Sequence, residues 1–118
     1  MSGTLSYAAG LSAEDAVERD YASRGYPAAR RRFRGRRGEL DFVARDDDGY
    51  VFVEVKKSRS FARAAERLVP AQMRRILATA EEFLAAEGRG SLTPMRFDLA
   101  LVNARGEIRV IENVFGAA

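Results

Sequence analysis

The chain has 118 residues, 47% of them hydrophobic and 31% charged, which suffices for one folded domain and not for two. It holds no cysteine and no histidine, which excludes thiolate nucleophiles, disulfides, Cys/His zinc sites, serine–histidine triads and imidazole acid–base chemistry. The net charge of +3 is unevenly spread: residues 22–37 carry Arg24, Arg30, Arg31, Arg32, Arg34, Arg36 and Arg37 and no acid, so one side of the molecule should attract polyanions.

Met1 to Tyr7 and Gly116 to Ala118 read as loose ends of a single domain spanning 1–118. From Ser12, the spacing of Ala13, Ala16, Val17 and Tyr21 predicts a helix ending near Gly25, with Ser12 and Asp15 in a capping pattern. Tyr26-Pro27 breaks it. Residues 28–34 then alternate, predicting an edge strand whose Arg30, Arg32 and Arg34 form a comb on one face, with Ala29, Arg31 and Phe33 on the other. Two β-rich runs, Glu39 to Arg45 and Tyr50 to Lys56, flank Asp46-Asp47-Asp48-Gly49 and predict a hairpin. Ser58 to Arg67 reads as polar and flexible. Pro70 opens a second helix with Met73, Ile76, Leu77, Ala80, Phe83 and Leu84 in one apolar stripe, stopped by Gly88 and Gly90. Arg96 to Val102 and Ile108 to Ile111 complete the set as strands. The order predicts an α/β fold, a mixed central sheet with a helix on each face.

No apolar run approaches the ~20 residues of a membrane span, and the N-terminus lacks the order of a signal peptide. A cytoplasmic protein with no membrane partner is expected.

The hairpin carries the chemistry. With Asp47-Asp48 as a two-residue loop, Asp41 opposes Glu54 and Glu39 opposes Lys56; with Asp48-Gly49 as the loop, Asp41 opposes Lys56. Either register gathers the four on one face and leaves Leu40, Phe42, Val51, Val53 and Val55 on the other, unless a bulge intervenes. Opposed carboxylates on neighbouring strands disfavour a sheet, and a hard divalent cation would give the fold a reason to keep them. Lys56, one of only two lysines, could then hold the attacking water or offset charge in a phosphoryl transition state. The competing reading is a set of cross-strand ion pairs, each worth roughly 0.2–1 kcal/mol on a solvated face. Asp46, Asp47 and Asp48 read as turn chemistry.

The run Gly38-Glu39-Leu40-Asp41-Phe42-Val43-Ala44-Arg45, followed by Val51-Phe52-Val53-Glu54-Val55-Lys56, resembles the core motif of the YraN family, which is similar to PD-(D/E)XK nucleases and archaeal-type Holliday junction resolvases. The resemblance extends from about residue 10 to 115 and takes in Glu14, Arg24-Gly25-Tyr26, Val69 to Arg75, Arg96-Phe97-Asp98 and Ile111 to Phe115. It implies a restriction-endonuclease-like α-β-β-β-α-β core. It further implies Mg²⁺ or Mn²⁺ on Asp41, Glu54 and the Val55 carbonyl, Lys56 as the catalytic lysine, Glu14 as an additional acid and Gln72 as a substrate contact. A homodimer is implied by the same resemblance. Ala13, Arg32 and Ala71 depart from the family pattern.

Three functions compete. The first is a Mg²⁺-dependent endonuclease on branched or damaged DNA, with Arg30, Arg32, Arg34, Arg36 and Arg37 on backbone phosphates. The second is a non-catalytic nucleic-acid-binding module on a nuclease fold, and the third a structural protein whose basic strip meets an acidic partner.

Overall fold

The structure is a computed structural model and describes residues 2–115, with side chains from Ser12 onward. Its first helix, α1 (Ser2–Ser23), starts ten residues before the expected cap and takes in most of the supposed loose N-terminus. Leu5, Ala8, Ala9 and Leu11 are good helix formers. Asp15, read as a capping partner, instead accepts a hydrogen bond from Arg31. Met1 and residues 116–118 lie outside the described residues.

Strands β1 (Ala28–Arg34), β2 (Glu39–Asp46) and β3 (Gly49–Lys57) follow as an antiparallel meander. Asp46 pairs with Gly49 and Phe42 with Val53, so the hairpin adopts the Asp47-Asp48 loop. The stretch expected to be flexible contains a short helix, α2 (Phe61–Ala65), because the Ser60 side chain accepts the Arg63 amide at 3.2 Å and Ala64 buries against Leu99 and Leu101. Helix α3 (Pro70–Ala86) then returns the chain to β4 (Met95–Val102), which runs parallel to β3, and β5 (Ile108–Ile111) closes the sheet antiparallel. The strand order is β1-β2-β3-β4-β5.

Both faces of the sheet are covered, which is why its central strands read as near-continuous apolar runs. Ala13, Val17 and Tyr21 of α1 pack on Phe42, Ala44, Val51, Val53, Ala100 and Val102. Ile76, Ala80, Phe83 and Leu84 of α3 pack on Leu40, Val43, Tyr50, Phe52 and Phe97. Polar ties add to this packing on the α1 side: Tyr21 donates its hydroxyl to the buried Asp98 at 2.6 Å, and Arg96 and the Asn113 amide satisfy the same carboxylate. The whole is the restriction-endonuclease-like α-β-β-β-α-β core.

Two expected alternations fail at one place. Leu40 belongs with α3, not with Phe42, Val51, Val53 and Val55 on the α1 side. Phe33 likewise packs toward α3, whereas Arg31 reaches the α1 acids Glu14 and Asp15. Both strands therefore turn over between the Arg31↔Phe42 and Phe33↔Leu40 pairs. The turnover coincides with Arg32, whose φ of 52° lies in the left-handed region that non-glycine residues rarely occupy. Arg30, Arg32 and Arg34 consequently do not form a comb on one face. Among the described residues no helix is long and apolar enough to cross a membrane.

Candidate active site

The turnover shapes a site. The β2–β3 ladder extends as far as Phe42↔Val53, and beyond it the Val55 amide donates to the Asp41 carboxylate (Oδ2) at 2.9 Å. A side chain thus takes the place of a strand carbonyl, while β3 stays registered on β4 as far as Lys57↔Val102. From α3, Gln72 Nε2 donates to Glu54 Oε2 at 2.9 Å, and Lys56 Nζ lies 3.6 Å from the same oxygen. Asp41, Glu54, Val55, Lys56 and Gln72 share a pocket of about 380 Å³ with Glu39, Arg37 and Arg75 around it. The expected gathering of Glu39, Asp41, Glu54 and Lys56 is therefore met, by an opened ladder where regular alternation was expected.

Burial sets the electrostatics. The Glu54 and Lys56 side chains are only 10% and 14% exposed. Burial, followed by a hydrogen bond and charge repulsion from Asp41, pushes the Glu54 carboxyl well above the usual carboxylate range, and Lys56 opposes this only in part. A divalent cation placed between the two carboxylates would offset this repulsion. The Asp41 and Glu54 side chains offer hard oxygen donors, with Val55 on the same wall, and such a set fits Mg²⁺ or Mn²⁺. Among the described residues no three acids converge on one point, so water and substrate oxygens would complete the coordination, as Mg²⁺ prefers.

The model of the Uncharacterised protein family UPF0102 matches residues 13–102. The chain belongs to this family. The match runs from the buried face of α1 to the end of β4 and includes every pocket residue. UPF0102 is the YraN family that the hairpin motif resembles. A UPF0102 protein of Ruegeria pomeroyi is 58% identical over 97% of this chain and 93% of its own length. One from Cereibacter sphaeroides is 55% identical over 99% and 100%, and one from Roseobacter denitrificans 56% identical over 94% and 86%.

Within this UPF0102 chain, the remaining candidates fall in different places. Glu14, 13% exposed, is held by Arg31 and Arg32 and does not line the Asp41–Glu54 pocket. Arg34 pairs with Glu39 at 3.3 Å, and Arg30 lies over the Phe33 ring. Arg36 and Arg37 sit on the turn between Gly35 and Gly38, where Glu82 of α3 accepts both of their amides at 3.0 and 3.4 Å. Sequence reasoning missed Arg74, Arg75 and Glu82. All three lie on α3 outside its apolar stripe, where arginine and glutamate are ordinary solvent-facing residues. The signal available was Arg74-Arg75 lying just beyond Gln72, on the same helical turn.

Proposed function

We propose that this chain is a Mg²⁺- or Mn²⁺-dependent DNA endonuclease of the PD-(D/E)XK type, cytoplasmic and dimeric, that hydrolyses phosphodiesters in branched or damaged DNA. The observation that carries the reading is the Asp41–Glu54 carboxylate pair, held by Val55 N–H and Gln72, with Lys56 at the same wall. Such a pair burdens the fold unless a cation uses it.

Asp41, Glu54 and the Val55 carbonyl would hold the ion. When bound, the cation supplies Lewis-acid polarisation of the phosphodiester and a lowered pKa for a coordinated water. The chain's own residues do the rest. Asp41 is oriented by the Val55 amide and Glu54 by Gln72, so neither carboxylate must reorganise during the reaction. Lys56, confined by burial, donates to a non-bridging phosphate oxygen as negative charge builds there. Water oxygen bonds to phosphorus as its proton passes to solvent, the opposite P–O bond breaks, and the departing oxygen takes up a proton from solvent.

The test combines turnover with metal binding. Purified protein is incubated with Mg²⁺ or Mn²⁺ and linear, flapped or four-way-junction DNA, beside Asp41→Ala purified identically to expose any contaminating nuclease. Cleavage by the wild type alone is expected, together with calorimetric Mn²⁺ binding that Asp41→Asn/Glu54→Gln abolishes. Folded wild-type protein that cuts no DNA form with either metal would leave a nucleic-acid-binding module in place of the enzyme.

A further inference from the structure

Of the 18 arginines of this chain, five are ion-paired and the other 13 have no ion pair among the described residues. Arg24, Arg31, Arg32, Arg34 and Arg96 each pair with a carboxylate. Arg36, Arg37, Arg74 and Arg75 are exposed and have no ion pair among the described residues. These four, out of the 13 without an ion pair, line the acid pocket or the clefts beside it. Arg37 and Arg75 line that pocket and also a shallower cleft of about 530 Å³, whose other walls are Ala71, Arg74 and Ala78. One surface therefore continues from the carboxylates to three unpaired guanidinium groups.

The chemistry of the cleft selects its ligand. Ala71 and Ala78 end at Cβ and offer no acceptor, so an extended backbone can lie close to α3 with planar, bidentate donors on either side. Glu82 of α3 reaches the Arg36–Arg37 turn, but both of its oxygens accept main-chain amides. It thereby fixes the base of Arg37 in place of neutralising its head. By contrast, Arg31 and Arg32 would have to give up Glu14 and Asp15 before gripping a phosphate.

We infer that the cleft formed by Arg37, Arg74, Arg75, Ala71 and Ala78 is a metal-independent binding site for the phosphates of a nucleic-acid strand, and that it guides the strand into the acid pocket. The inference rests on the reading of that pocket as a phosphodiester site and adds where the rest of the strand lies. It moves the main nucleic-acid contact from the strand arginines Arg30, Arg32 and Arg34 to helix α3 and the turn beside it.

The probe is a fluorescently labelled single-stranded oligonucleotide, titrated by anisotropy against the full chain in chelator over a range of salt. Arg74→Ala/Arg75→Ala and Arg37→Ala are compared with Arg32→Ala/Arg34→Ala, both of which are ion-paired. Each cleft arginine that contacts phosphate should flatten the log–log salt slope by about 0.7 when removed, so the α3 pair should lose more than one unit of slope. The strand pair should stay near the wild type, and Arg75→Lys should keep most of the slope. Unfolding midpoints check that these exposed substitutions leave the fold intact. If the wild type does not bind in chelator, or if the α3 pair binds with an unchanged slope, the inference is overturned even if the enzyme cleaves DNA with metal. If binding depends on the cleft and no metal supports cleavage, the cleft stands and the nuclease reading falls.

Discussion

Lys56 and Lys57 are adjacent in sequence and alike in charge, yet only Lys56 lines the acid pocket. This makes them a controlled pair. A lysine acting on charge that develops in the transition state contributes little to ground-state binding, so Lys56→Ala should lower the cleavage rate by about 10²-fold, roughly 2.7 kcal/mol, with oligonucleotide affinity nearly unchanged. Lys57→Ala should leave the rate within a few-fold of the wild type. Equal losses in the two variants, measured by single-turnover cleavage, would reduce Lys56 to a general electrostatic contribution. The roles of Asp41, Glu54 and Lys56 could be framed from sequence because strand parity placed them together. Their means of support could not, since the Val55 amide on Asp41 is a contact across an opened ladder and the Gln72 amide on Glu54 comes from a helix 18 residues away.

At the scale of elements, two glycines separate a turn that can yield from one that cannot. A Cβ on Gly49 would stand 1.9 Å from the Pro94 carbonyl oxygen, a backbone atom on the segment leading into β4. A Cβ on Gly35 would stand 2.0 Å from Glu82 Oε2, the end of a flexible side chain. Gly49→Ala should therefore cost about 1–3 kcal/mol by urea unfolding, as overpacking does, and Gly35→Ala distinctly less. The price of the latter should appear instead in oligonucleotide affinity, because displacing Glu82 releases the turn that carries Arg36 and Arg37. The hairpin was legible because Asp47-Asp48 between two β-rich runs is local chemistry. Helix α2 was not, since five residues give too little periodicity to read and only Ser60 marks the start. The arginine comb failed for a third reason: the strand turns over at Arg32, which meets Glu14 of α1, and alternation within seven residues carries no trace of either.

For the whole molecule, the decisive polar contact joins α1 to β4. Tyr21 is fully buried, and burial, then the hydrogen bond and charge of Asp98, raise its phenol far above the ordinary value near 10. The native state thus keeps this proton at pH values where the unfolded chain has released it. Stability from this group is intact below pH 10 and falls as pH rises from 10 toward the raised native value. Tyr21→Phe should flatten the alkaline limb of a thermal-stability profile while lowering stability near neutral pH by about 1–3 kcal/mol, since Asp98 loses a buried donor. An unaltered alkaline limb would assign that loss of stability to other groups.

The opened ladder also gives the protein an internal sensor. In an unbroken sheet the Val55 N–H would face a strand carbonyl, which neither titrates nor binds ions as a side chain does; here it faces the Asp41 carboxylate. Its nuclear magnetic resonance shift should therefore follow whatever happens to that carboxylate, moving when Mg²⁺ is added and again when a phosphodiester arrives, with no label attached. In Asp41→Ala the same amide should lose its slow hydrogen exchange while Val53, still paired with Phe42, keeps its own. A Val55 resonance indifferent to both substitution and metal would mean that the carboxylate is not its partner in solution.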